Sequence, residues 1–144
     1  MLAQIRANDQ TANTKGVSVA KEIITTDKVA KPRVPLSAAV KIGNLIFVSG
    51  STPYDTNHQL AKGDFPAQMH QVMQNLKTIL ETAGSSLEKV VKVNVILARI
   101  RDFPEMNEIY RTYFKEGNYP ARTTIEATLT NKEFLLEIEC VAEV

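Results

Sequence analysis

From residue 64 onward the chain carries two hydrophobic rhythms. Phe65, Met69, Val72, Met73, Leu76, Ile79, Leu80 and Ala83 recur at steps of three and four, the period of a helix that buries one face. Asp64 stands where an N-cap belongs, Pro66 falls in the first turn, where a missing N–H costs nothing, and Gly84 supplies the stop. Ser85 and Glu88 have capping-box spacing and predict one more helical turn. Val90 to Leu97 is β-branched and partly alternating, which predicts an interior strand. A second helical stripe, Phe103, Met106, Ile109, Tyr110, Tyr113 and Phe114, starts at Asp102. Pro104 lies in its first turn, Glu105 at the capping-box position, and Gly117 ends it.

The rest reads as strands and loops. Lys21 to Thr26 is a first strand, and Pro32 and Pro35 make a loop of residues 27–35. Residues 38–42 and 45–49 flank Gly43-Asn44 and predict a hairpin. After Pro120, Arg122 opens a β-branched run, and a second strand follows from Phe134 to Val141. These two are expected to pair across a turn at Asn131-Lys132. In that register Arg122, Thr124 and Glu126 share a surface with Glu137 and Glu139, and the opposite surface packs on the helices. The order β, β-β, α, β, α, β-β predicts an α+β domain, a mostly antiparallel sheet with two helices on one face, over residues 21–144. Residues 1–20 are polar and without period, and read as an N-terminal extension.

Bulk properties narrow the classes. A length of 144 residues fits one domain, and 44% hydrophobic content suffices for a core. A formal net charge of +1 offers no field for nucleic acid or membrane. Cys140 is the single cysteine, so no internal disulfide forms, which fits a reducing, cytoplasmic compartment. No apolar run approaches the ~20 residues of a membrane span. The opening residues lack a secretory apolar core, and with Arg6 and Lys15 as their only basic residues they are poorer in arginine than a mitochondrial presequence. His58 and His70 have no partner at metal spacing and are expected on the surface, and Cys140 falls on the apolar face as an inert thiol. On spacing alone, Arg122 reads as the cation of a strand ion pair with Glu126 or Glu139.

A set of pieces in fixed order changes that reading. They are Gly43-Asn44, Phe47-Val48-Ser49-Gly50, Gln68, Asn75-Leu76, Ala83-Gly84, Asp102-Phe103, Asn107-Glu108-Ile109-Tyr110, Tyr113-Phe114, Pro120-Ala121-Arg122-Thr123 and Glu137-Ile138-Glu139 with Val141-Ala142. Over residues 21–144 the chain resembles the Rid/YjgF family of enamine/imine deaminases. The resemblance implies a chorismate-mutase-like α+β domain assembled as a homotrimer, with active sites in clefts between subunits. It implies hydrolysis of 2-aminoacrylate and related enamines or imines to 2-keto acids and ammonia, without metal or organic cofactor. It places the carboxylate-binding arginine at Arg122, the glutamate near the water site at Glu137, the helix asparagine at Asn107 and the Ser-Gly backbone site at Ser49 and Gly50. Thr124 takes a position that is sometimes cysteine in relatives.

One stretch departs from the family pattern. Val34-Pro35-Leu36-Ser37 stands where many relatives carry Gly-Pro-Tyr-Ser, so Leu36 replaces a tyrosine, and Ser51 stands where glutamine is usual. Two alternatives follow from Leu36: a deaminase of a larger substrate such as 2-aminomuconate, or a non-catalytic trimer that binds small carboxylates as a regulator. RNA binding or cleavage, attached to some relatives, is disfavoured by the balanced charge and the absence of a basic stripe.

Overall fold

The structure is a computed structural model that describes residues 19–144; the expected extension lies, through residue 18, outside the described residues. Six strands and two helices follow in chain order: β1 (Glu22–Ile24), β2 (Ala39–Ile42), β3 (Leu45–Ser51), α1 (Phe65–Thr82), β4 (Val90–Leu97), α2 (Phe103–Tyr113), β5 (Ala121–Glu126) and β6 (Leu136–Glu143). They form one sheet in the order β1-β2-β3-β6-β4-β5. All pairs are antiparallel except β4 with β5. The expected α+β class holds.

The helix boundaries are set by the expected residues. Asp64 Oδ1 accepts from the Ala67 amide at 2.9 Å and caps α1. At the other end Gly84 has φ +83°, its amide donates to Glu81 O and the Ser85 amide donates to Leu80 O, a complete Schellman stop. Two capping-box expectations fail. Ser85 Oγ donates to Glu143 O instead, and the turn that follows is a 3-10 segment at Leu87–Lys89. Asp102 makes no cap; its carboxylate pairs with Arg99 Nε at 2.8 Å.

The expected pairing of the last two strands is also corrected. β4 lies between β5 and β6, so they form no hairpin. The chain from β4 passes through α2 and returns parallel to it as β5, the β-α-β crossover that places a helix over the sheet. β3 and β4 both run antiparallel to β6 and hence parallel to each other, so α1 is a second crossover that leaves a slot for β6. Met69, Met73, Leu76 and Leu80 of α1 pack on Ile46, Val93, Ile138 and Ala142, all essentially without exposure. Each large apolar side chain buried this way contributes about 1.5–3 kcal/mol. Gln68, fully buried beside them, donates to Ala61 O and Glu133 O and accepts from the Leu135 amide, tying α1 to the segment that leads into β6.

Candidate functional site

The inserted strand decides which side of the sheet each expected site residue faces. Directly paired residues share a face. Arg122 pairs with Val93, and Val93 with Cys140, both buried under the helices. Glu137 pairs with Ile96, and Ile96 with Ile125, on the face no helix covers. Arg122 and Glu137 therefore lie on opposite faces of the sheet, which corrects the expectation of one shared surface. Among the described residues no carboxylate pairs with Arg122. Glu126 accepts from the Ile100 amide, and Glu139 accepts from Asn94 Nδ2 at 2.6 Å.

The crossover brings α2 over Arg122. Phe103, Met106, Asn107 and Tyr110 lie at helical spacing on the α2 face that meets the arginine. Arg122 Nη2 donates to Asn107 Oδ1 at 2.8 Å, and Nη1 lies 3.8 Å from Met106 Sδ. The guanidinium carbon stands 4.7 Å from the centre of the Tyr110 ring and 5.9 Å from that of Phe103. This is a cation set over two aromatic rings and fixed at one corner by an amide. Thr124, two residues along the same face, has a buried hydroxyl without a partner among the described residues, as does Tyr110. Burial pushes the Tyr110 phenol up to about 12, against the pull of Arg122, so it stays neutral.

Glu137 faces Gly50. The β3–β6 register shifts between Val48 and Ser51, so Ser49 and Gly50 form a bulge opposite β6. A Cβ at Gly50 would stand 1.9 Å from Glu137 Oε1, so only glycine leaves that carboxylate its place. Burial first, and the charge of Glu139 second, raise the Glu137 carboxyl above its usual value. Ser49 Oγ donates to Ser37 O at 2.7 Å, which ties the bulge to the residue after Leu36. Leu36, Ser49 and Gly50 together line a cavity of about 400 Å³.

The expected residues thus form two groups. Arg122 and Asn107 meet beneath α2 at the β5 edge with Thr124 on the same face; Ser49 and Gly50 form the β3 bulge, with Glu137 against Gly50 and Leu36 on the cavity that both bulge residues line. Sequence reading assigned Tyr110 to the core stripe only, and its role against Arg122 carried no separate signal. Asn75 did carry one, as an amide inside an apolar stripe: its Nδ2 holds Thr52 O and Tyr54 O on the cavity wall. His58, expected on the surface, is half-buried and lines the same cavity. Cys140 is buried, with its thiol pushed up to about 12 by burial, and is inert as expected. The described residues hold no cluster of metal-ligating side chains, and no described helix is long and apolar enough to cross a membrane.

Comparison with known proteins agrees in fold and sequence. Residues 26–144 match the family described as endoribonuclease L-PSP. A RutC family protein of Pyrococcus abyssi is 46% identical over 125 residues, covering 86% of this chain and 98% of the relative. A 2-iminobutanoate/2-iminopropanoate deaminase of Rattus norvegicus is 38% identical over 126 residues, covering 87% and 91%. The crystal structure of RidA from an Antarctic Psychrobacter superposes with a TM-score of 0.80 at 37% identity, covering 85% of this chain and 99% of that one.

Proposed function

Because the chain belongs to the endoribonuclease L-PSP family, the Rid/YjgF group in which some members are named imine deaminases, we propose that it hydrolyses 2-aminoacrylate-type enamines and 2-imino acids to 2-keto acids and ammonia. The observation that carries this reading is Arg122. A guanidinium braced by Tyr110 and Asn107, with no carboxylate of the described chain on it, is a receptor for a substrate carboxylate. Gripping that end fixes C2 for attack. An enamine first gains a proton on C3 and loses one from nitrogen to become the imine. Water, oriented and deprotonated by Glu137, then adds to C2, and the carbinolamine expels ammonia as the C=O forms. Water enters, ammonia leaves, and no electrons are transferred, so no redox partner is required.

Opposite placement of Arg122 and Glu137 bears on assembly. Arg122 belongs to an edge strand and Glu137 to the open face, so we assign the working site to the seam between copies in a homotrimer, Arg122 from one and Glu137 from the next. The open face supports a second copy there: Ile23, Phe47 and Ile125 lie on it, each about half exposed. A reducing, cytoplasmic setting fits the single buried thiol.

The test is subunit complementation. Generating 2-aminoacrylate in situ and following keto-acid release, Arg122→Ala and Glu137→Gln should each be inactive while keeping the native circular dichroism. Mixed by unfolding and refolding together, the two variants should regain turnover. A wild-type protein that leaves keto-acid release at the uncatalysed rate refutes the deaminase reading, and inactive mixtures of two folded variants refute the shared site.

A further inference from the structure

We infer that the cavity of about 400 Å³ behind the Ser49-Gly50 bulge is a second ligand site, separate from the seam of Arg122 and Glu137, and that it takes an organic monoanion with an aromatic or branched apolar body. It stands independently of the deaminase reading.

Position separates the two sites. Asn75 and Ile79 wall the cavity from α1, on the side of the sheet that the helices cover. Glu137 lies on the opposite, open face, and neither it nor Arg122, Asn107 or Tyr110 lines the cavity. Ser49 and Gly50 form the partition, with Glu137 against Gly50 on the far side. The cavity is also built in advance. Tyr54 packs edge-on against Phe134 with ring centres 5.1 Å apart, and its hydroxyl accepts from Asn131 Nδ2 at 3.0 Å. His58 takes φ +58°, in the left-handed region that glycine favours, and its Nε2 meets Lys31 O at 3.1 Å. Asp55 Oδ1 holds that turn by accepting from the amides of Asn57 and Gln59. The loops before β2, after β3 and before β6 are thereby locked around one space, and a ligand entering it has little ordering to impose.

The wall chemistry identifies the ligand. Its side-chain amides and the Ser49 hydroxyl are already committed. Asn75 Oδ1 accepts from Gln71 Nε2 at 2.9 Å while its Nδ2 donates to Thr52 O and Tyr54 O. Asn131 Oδ1 accepts from the Glu133 amide at 2.9 Å while its Nδ2 donates to Tyr54, and Ser49 Oγ donates to Ser37 O. What these groups leave to a ligand is the apolar surface of Val29, Ala38, Ile79 and Phe134. The volume falls in the range of about 300–1,000 Å³ that holds organic ligands, enough for a ring or a branched chain. A charge inside such a space would go unpaired, so the ligand's charge belongs at the exposed edge. There stand Lys31 and Arg33, both exposed, and among the described residues no aspartate or glutamate lines the cavity. Neither basic side chain forms an ion pair among the described residues. A carbon body inside and one anionic group at the edge satisfy both the walls and the rim.

A matched acid and alcohol test this. By isothermal titration calorimetry, 4-phenylbutanoate should bind the wild-type protein about threefold to tenfold more tightly than 4-phenylbutan-1-ol, the gain expected of two exposed cations. The double variant Lys31→Ala/Arg33→Ala changes only exposed side chains and should erase that ratio. Ala30→Trp, which fills the cavity from its wall, should lose both ligands while keeping the native circular dichroism. Arg122→Ala should bind both as the wild type does. Equal binding of acid and alcohol, a ratio that survives the double variant, or no binding of either overturns the site. Loss of the acid in Arg122→Ala overturns it too, since the anion would then sit on the catalytic clamp.

Discussion

One methyl group at Gly50 should disable turnover while leaving the fold in place. Gly50 is not in the left-handed region, so its backbone accepts alanine without strain. The obstacle is space. The new Cβ would meet Glu137 Oε1 at 1.9 Å and its Cδ at 2.8 Å, where ordinary contact begins near 3.4 Å. The carboxylate must retreat by about 1.5 Å, and a misplacement of about 1 Å in a catalytic group costs roughly 100-fold in rate. The stability cost is small by comparison, because the half-buried Glu137 side chain can swing aside for about 0.5–1.5 kcal/mol of off-rotamer strain. Gly50→Ala should therefore lose about two orders of magnitude in kcat/KM on a small imine, with a thermal midpoint only a few degrees below wild type.

A double-mutant cycle separates this from a general disturbance of the bulge. On a Glu137→Ala background the carboxylate is already gone, so adding Gly50→Ala should change the residual rate by no more than about twofold. Turnover in Gly50→Ala within a few-fold of wild type refutes the argument that clearance for Glu137 is why glycine stands there. A further 100-fold loss on the Glu137→Ala background refutes it equally, since the methyl would then act on something other than that carboxylate.

Tyr110→Phe keeps the ring against Arg122 and removes only a hydroxyl without a partner among the described residues, so it should keep wild-type kinetics and stability. Tyr110→Leu removes the cation–π support, worth about 0.5–2 kcal/mol, and should raise KM about twofold to thirtyfold with kcat little changed. Equal behaviour of the two variants in steady-state kinetics rules out the ring as the brace. Glu137 works as a base when deprotonated, so activity should fall as pH drops through its raised pKa. Glu139→Gln removes one cause of that rise and should move the acid limb of kcat/KM to lower pH; a limb that stays put or moves up contradicts the assignment. Gln68→Leu leaves the Leu135 amide buried and unpaired and should cost about 1–3 kcal/mol in urea unfolding, against no change if the amide network were incidental.

Much of the fold was legible in the sequence because the signals were local. The stripe from Phe65 to Ala83, the cap at Asp64 and the stop at Gly84 each act within one or two turns, and each appears where expected. Residues whose partners are distant in sequence behaved otherwise. Ser85 and Asp102 have cap spacing, but the Ser85 hydroxyl turns to donate to Glu143 O, and the Asp102 carboxylate accepts from the Arg99 guanidinium instead of a helix amide. Nothing local announces either rival.

The larger difference concerns parity. Reading β5 and β6 as a hairpin turning at Asn131-Lys132 pairs even-numbered residues of one with odd-numbered residues of the other, whereas their registers on β4 bring even to even, and that one-residue difference turns one entire strand over. The polar stretch 127–133 fits a long hairpin loop as well as a link that steps over β4, so the choice rested on adjacency in sequence. What favours the insertion is packing: α2 must cover the sheet, and a helix between β4 and a parallel β5 does so in the crossover that parallel neighbours require. Once β4 is inserted, Arg122 turns beneath α2 and Glu137 turns to the open face. On the proposed reading that both residues serve one site, that site is shared between two chains, and the premise is the register of β4 with both neighbours, Arg122 with Val93 and Cys140 on one face, Ile125 with Ile96 and Glu137 on the other.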